Sequence, residues 1–133
     1  MAKAPKKPVK PKKLTKKQIA RQERIAKKKA LVQWSLDVRE RDGNQCQVCK
    51  IKDKELKENG KKAILNAHHI FAKEGTYKFM MFDVENGLTL CQACHRFSRV
   101  NSPHRQEFVF FLWFMENRPE QFEYLKSRIL PAK

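Results

Sequence analysis

Residues 66–96 read NAHHIFAKEGTYKFMMFDVENGLTLCQACHR, and metal-ligand residues stand near both ends of this stretch. Its second half contains one Cys-x-x-Cys pair, and another pair lies upstream in residues 46–49. Zinc prefers four tetrahedral ligands, and two thiolates separated by two residues in a tight turn supply two of them. The pairs therefore predict a structural zinc site formed by four thiolates: Cys46, Cys49, Cys91 and Cys94.

The cysteine pairs have other interpretations. They could be buried cysteines without a metal, or a thioredoxin-like redox pair, but the latter needs a βαβ context that the sequence does not show. Disulfides are disfavoured because no apolar segment of a signal peptide follows the N-terminal lysines. We therefore expect zinc and a cytoplasmic location.

Three histidines of the same stretch are not needed by a four-thiolate zinc site: His68, His69 and His95. The second cysteine pair joins a predicted strand to a predicted helix, so a zinc ion there would determine where His95 points. Neighbouring residues of a strand point to opposite sides, so His68 and His69 need not perform the same task. We expect the functional site in this stretch.

The charge of the chain is concentrated at its N-terminus. The 133 residues have a formal net charge of +16, and residues 1–30 contain thirteen Lys or Arg but the single acid Glu23. Such a polycation is typical of nucleic-acid binding, with a solubilising tail as the alternative. A membrane role is disfavoured because the leader has few large apolar residues and no stretch is long enough to span a bilayer. The candidate nucleic-acid contacts here are Lys12, Lys13, Lys16, Lys17, Lys27, Lys28 and Lys29.

The pattern of the remaining chain predicts short elements. Residues 1–13 are expected to be disordered or extended, and Thr15 with Gln18 has the spacing of a capping box that starts a helix. An apolar stripe (Ala26, Ala30, Trp34, Val38) lies in this helix, whose basic near end we expect to form only on DNA. Residues 42–44, Asp-Gly-Asn, end it.

Strands are predicted at residues 63–70 and 87–90, with a helix starting at residues 94–100 and an apolar loop packed on the core at residues 71–85. Two helices follow, one at residues 106–117, expected to be largely buried, and one at residues 119–129 with Phe122, Leu125 and Ile129 on one face. We therefore predict a small zinc-stapled α+β domain at residues 31–133, after a basic leader at residues 1–30. Within it, the zinc knuckles and ββα core span residues 42–101 and the C-terminal helices span residues 104–130.

The ordered set of Ala-His-His-Ile, then Asp83, Asn86-Gly87 and Cys-x-x-Cys-His resembles the HNH motif of ββα-metal endonucleases. It is similar to the phage and bacterial members that have two Cys-x-x-Cys knuckles, which implies that the cytoplasm is that of a bacterial or phage-infected host cell. The resemblance covers residues 34–100 well, and residues 106–125 resemble the C-terminal helices of some phage members. It implies a treble-clef-like core in which His68 and His95 ligate a catalytic divalent metal and His69 is the general base. Asn86 is implied to brace the loop and orient that base.

The sequence departs from some HNH enzymes at one position. Arg99 stands where they supply another histidine, about one turn after the last motif histidine. With only two protein ligands the metal would be a hard ion such as Mg²⁺, or alternatively Mn²⁺ or Ni²⁺. Arg96 and Arg99 are candidate clamps of the scissile phosphate, or else ordinary solvated charges. His104 is expected to be a surface or structural residue.

The resemblance implies a metal-dependent DNA endonuclease that hydrolyses phosphodiester bonds with a single metal. One active site cuts one strand, so double-strand cleavage would need a homodimer or two visits. Two alternatives stay open. The first is a zinc-knuckle DNA-binding module without catalysis, and the second is an accessory protein that nicks DNA alongside phage packaging proteins.

Overall fold

A long N-terminal helix, a two-stranded sheet and two C-terminal helices form the fold. The computed structural model describes Ala4, residues 12–97 and residues 102–130. Its elements are α1 (Lys16–Arg41), β1 (Leu65–His69), β2 (Gly87–Cys91), α2 (Glu107–Asn117) and α3 (Pro119–Ile129). Short 3₁₀ turns lie at Lys78–Met80 and Val84–Asn86, and a π-helical turn at Ala93–Phe97 follows β2. The predicted small α+β core with flanking helices is confirmed.

Helix α1 begins and ends where its sequence signals predict. The side chain of Thr15 accepts a hydrogen bond from the Gln18 backbone, and the Gln18 side chain accepts one from the Thr15 N–H. The helix ends at Asp42, and Gly43 and Asn44 then take positive φ angles of 69° and 53°. Only the last turns dock on the core, and the basic near end is already helical in this structure.

The two strands form an antiparallel pair. The register places Leu65 opposite Cys91 and His69 opposite Gly87, so the histidine pair and the second cysteine pair are at opposite ends of the ladder. Strand β1 is shorter than the predicted 63–70, and β2 extends one residue beyond the predicted 87–90, differences that are usual for element ends. Every residue of β2 is buried, because α1 covers the sheet on one side and α2 and α3 contribute to the core on the other.

A buried carboxylate ties the end of α1 to the sheet and to the C-terminal helices. Asp42 accepts hydrogen bonds from Arg41, from the Thr89 N–H and from Arg118, at 2.9–3.1 Å. Arg118 lies between α2 and α3 and also donates to Gln47 of the first zinc knuckle. Burial opposes ionisation of Asp42, but the hydrogen bonds from Arg41 and Thr89 outweigh it and lower the pKa of this carboxyl.

One expectation about burial, that of a largely buried helix at residues 106–117, is wrong, and another, that of an apolar loop packed on the core, holds only in part. Helix α2 buries only Phe110 and Phe114, whereas Phe108 is 75% exposed and Leu112 and Met115 are also exposed. The helix packs by one stripe, so a nearly continuous apolar sequence does not imply burial on all sides. In the apolar loop at residues 71–85, Met80 is fully buried, but Phe79 and Phe82 are exposed.

Other expectations lie partly or wholly outside the described residues. The helix predicted from residue 94 is a π-helical turn as far as Phe97, and the rest of it lies outside the described residues. Arg99 and most of residues 1–13 also lie outside them. Among residues 12–97 and 102–130, none of the helices combines the length and the apolarity that a bilayer span requires.

Candidate active site

The four cysteines come together as the spacing predicts. Their sulfur atoms all lie within 4.8 Å of one another, and Sγ of Cys49 is 3.6 Å from Sγ of Cys91. Hydrogen bonds from Cys91 and Cys94 lower the pKa of the Cys46 thiol, while hydrogen bonds with Cys46 and Cys91 raise that of Cys94. One thiol in a crowded group thus ionises at the expense of another, a conflict that a cation at the centre removes. The donor set fits zinc.

Backbone hydrogen bonds join the first zinc knuckle to strand β2. The N–H of Gln47 donates to the carbonyl of Thr89 at 3.0 Å, and the N–H of Cys46 donates to the carbonyl of Ile51 at 2.9 Å. Lys50 closes the knuckle with a positive φ of 68°. The thiolates are therefore fixed to the same strand that leads into the turn containing His95.

Three imidazoles converge on the other side of this turn. The Nε2 atom of His95 lies 3.0 Å from Nδ1 of His68 and 2.8 Å from Nε2 of His104. Burial, with the neighbouring imidazoles, lowers the pKa of His68 to about 3, and burial together with His104 and Arg96 lowers that of His95 to about 4. These two rings are therefore neutral at pH 7, the form that ligates a metal.

His104 was missed by the sequence reasoning. It is exposed, as expected of a surface residue, but its ring belongs to the histidine cluster, whose ligand atoms all lie within 4.8 Å of one another. It is separated from His95 by nine positions and Pro103, so no periodicity relates the two. The metal site therefore has three candidate histidine ligands instead of the two expected from the sequence. Three imidazole nitrogens favour a transition metal over Mg²⁺, which removes the reason for preferring the harder ion.

His69 points away from this cluster, as the alternation of a strand predicts. Its ring stacks on Trp34 of α1, with ring centroids 3.7 Å apart. Its Nε2 lies 2.9 Å from the carbonyl oxygen of Met81. A carbonyl can only accept, so Nε2 carries the proton and Nδ1 has the free lone pair. Burial, and more weakly the charge of Lys73, lower the pKa of His69, which keeps the ring neutral.

Asn86 is fully buried and braces the loop between the strands. Its amide oxygen accepts from the Phe71 N–H at 2.8 Å, and its amide nitrogen donates to the carbonyls of Phe71 and Met80 at 3.0 and 3.1 Å. These bonds fix the chain just after β1 and just before Met81, whose carbonyl holds His69. An amide is suited to this because it both donates and accepts without ionising.

A cavity of about 530 Å³ contains the histidines. Among the described residues, two basic side chains line it besides the imidazoles, Arg96 from the π-helical turn and Lys73 from the loop after β1. Lys73 was not expected from the sequence, because nothing distinguishes it there from the other lysines. The seven basic residues proposed for the leader are all exposed, and Lys27 pairs with Glu74 at 3.4 Å.

Residues 46–98 match the family model of the HNH endonucleases. The chain contains an HNH domain. The match includes the four cysteines, the histidine pair, Asn86 and His95, and it ends before His104. No curated protein and no solved structure matches the chain at a significant level. An HNH domain indicates nuclease activity, and HNH domains use divalent metals.

Proposed function

We propose that this protein is a metal-dependent DNA endonuclease that hydrolyses phosphodiester bonds at the cavity between β1, the π-helical turn and α2. One observation carries the proposal. The imidazoles of His68, His95 and His104 converge, the tautomer of His69 is fixed, and these rings line one cavity together with two cationic side chains. Hydrolysis of a phosphodiester needs these parts: a base for water, and positive charge for the phosphate.

His68, His95 and His104 are the proposed ligands of one divalent ion. A single nitrogen of His95, Nε2, lies at hydrogen-bonding distance from a ring nitrogen of His68 and from one of His104. An ion bound there would polarise the phosphoryl oxygens and stabilise the leaving 3′-oxygen. The proposed Zn²⁺ at the cysteines has four thiolates and no open position, so it is structural.

His69 is the proposed general base. The Met81 carbonyl holds Nε2–H, so Nδ1 takes the proton of the attacking water, and the positive ring that forms is stabilised by the carbonyl dipole and by the face of Trp34. Asn86 positions this arrangement through the backbone of Phe71 and Met80. Lys73 and Arg96 are proposed to contact the non-bridging phosphate oxygens, with Arg99 as a further candidate.

The leader is proposed to bind DNA through its exposed lysines and arginines, which release counterions from the phosphate backbone. We keep the boundary between leader and nuclease domain near residue 30 as a proposal, because α1 runs through it without a break.

Cleavage of supercoiled plasmid by zinc-loaded protein with Mg²⁺, Mn²⁺ or Ni²⁺, with and without EDTA, tests this function. His69→Ala should lose about 10²–10⁴-fold in cleavage rate, because it deletes a general base, while its divalent-ion affinity and zinc content stay unchanged. His104→Ala is the matched control, since it should weaken ion binding instead. Plasmid binding without cleavage under every metal would refute the enzyme and favour a DNA-binding module. Retention of more than about a tenth of the rate by His69→Ala would refute the assigned base.

A further inference from the structure

The three proposed metal ligands come from three separate segments. His68 belongs to β1, His95 to the π-helical turn, and His104 to the turn just before α2. The edge of the His68 ring contacts Phe110 of α2 with centroids 5.7 Å apart, so α2 already packs beside the cluster. The direction in which His104 points nevertheless depends on what holds its own turn against the other two ligands.

Ser102 forms that connection. It is fully buried, and its hydroxyl donates a hydrogen bond of 2.7 Å to the backbone carbonyl of His95. Its own carbonyl accepts the N–H groups of Arg105 at 3.2 Å and Gln106 at 2.7 Å, which closes the turn around His104. A single serine therefore binds the backbone of one ligand and organises the turn that contains another.

The ring of His95 needs an external anchor. A histidine that ligates a metal usually donates its second ring N–H to a carbonyl, a carboxylate or water, which fixes the ring. In the described part of the chain, Nδ1 of His95 is buried and has no hydrogen-bond partner. The hydrogen bond from Ser102 to the His95 carbonyl joins the His104 turn to the backbone of this ligand, whose Nδ1 has no partner among the described residues.

We propose that Ser102 is a positioning residue that preorganises the three-histidine metal site by holding the His104 turn against His95. This inference rests on the proposed function, since it assigns Ser102 a task at the same metal. Without the hydroxyl, the His95 carbonyl loses this hydrogen bond, and metal binding must first order the His104 turn. Such an ordering cost lowers affinity without removing any ligand.

The test is calorimetric titration of Ni²⁺ and of Mn²⁺ into zinc-loaded full-length protein. We expect Ser102→Ala to weaken binding of the second ion about ten- to hundredfold, as the loss of a supporting hydrogen bond around metal ligands typically does. Ser127→Ala is the matched control, because Ser127 also donates to a backbone carbonyl, that of Tyr124 at 2.6 Å, but on the exposed surface of α3. Its affinity should equal that of the wild type. Ser102→Thr retains the hydroxyl and should restore most of the affinity.

A double variant distinguishes positioning from a general loss of structure. If Ser102 acts through His104, Ser102→Ala should have little further effect on metal affinity in a His104→Ala background. Equal effects in both backgrounds would overturn the proposal, as would a wild-type affinity in Ser102→Ala or a loss of its zinc. A wild-type protein that takes up no ion beyond the zinc would instead refute the metal site of the proposed function.

Discussion

Gly87 tests how closely α1 must approach the strands, because it lies opposite His69 and beneath Trp34. Its φ of −126° and ψ of 152° are ordinary extended values, so the backbone does not require glycine. The requirement is space. A Cβ atom at this position would lie 2.7 Å from Cζ2 of Trp34 and closer still to Cγ2 of Val38. Ordinary carbon contacts begin near 3.4 Å, so in Gly87→Ala the last turns of α1 must move outward by several tenths of an ångström or more.

Two consequences follow from this movement. Overpacking of a filled core costs about 1–3 kcal/mol in the free energy of unfolding. The displaced ring is also the one that stacks on His69 at 3.7 Å, and its Nε1 donates to the Asp83 carbonyl at 2.7 Å. Misplacement of a catalytic group by about 1 Å can cost about 10²-fold in rate. We therefore expect Gly87→Ala to lower stability by about 2 kcal/mol and to lower cleavage by more than its unfolded fraction explains.

Urea unfolding, followed by plasmid cleavage under conditions where the variant is fully folded, measures both effects. Val38→Ala removes the methyl groups that the new Cβ meets, so the double variant should be less destabilised than the sum of the single ones by about 1 kcal/mol. The steric argument would be refuted if the free energy of unfolding of Gly87→Ala lay within about 0.5 kcal/mol of the wild-type value. Strictly additive effects of the two substitutions on that free energy would refute it as well.

Three further predictions concern protons, zinc and DNA. In zinc-loaded protein without a second divalent ion, the free energy of unfolding should fall as pH drops from about 6.5, the ordinary histidine pKa, toward 3–4. The reason is that the unfolded chain takes up protons that His68 and His95, with pKa values of about 3 and about 4, exclude. An unfolding midpoint in urea that is equal at pH 7 and pH 4.5 would contradict this. Cys91→Ser should lose zinc and unfold, by mass spectrometry and circular dichroism, because structural zinc binding supplies folding free energy; a folded, zinc-free variant would show that the site is dispensable. Deletion of residues 1–30 should reduce the slope of log DNA affinity against log salt concentration by about 3–6, since each lost phosphate contact removes roughly 0.9 from that slope. Turnover at saturating DNA should persist. An unchanged slope would make the leader a solubility tail or a docking arm for a protein.

The local elements of this protein were predictable because their causes are local. The capping box at Thr15 and the Asp-Gly-Asn stop of α1 act within one helical turn. The alternation of a strand likewise separates His68 from His69 before any packing is known. The exposed side of α2 was not predictable, because its sequence is apolar on nearly every side and only the packing of Phe110 and Phe114 selects the buried stripe.

The sequence by itself determined the four-thiolate site and the place of the histidine pair, since paired cysteines two residues apart and neighbouring strand residues have fixed local geometry. Only the tertiary structure decided that His104 joins His68 and His95, and that Met81 and Trp34 hold His69. These partners approach from a distant helix or across loops, at separations that no short-range pattern records. Contacts of that kind depend on how whole elements pack, and therefore become visible only when the chain is folded.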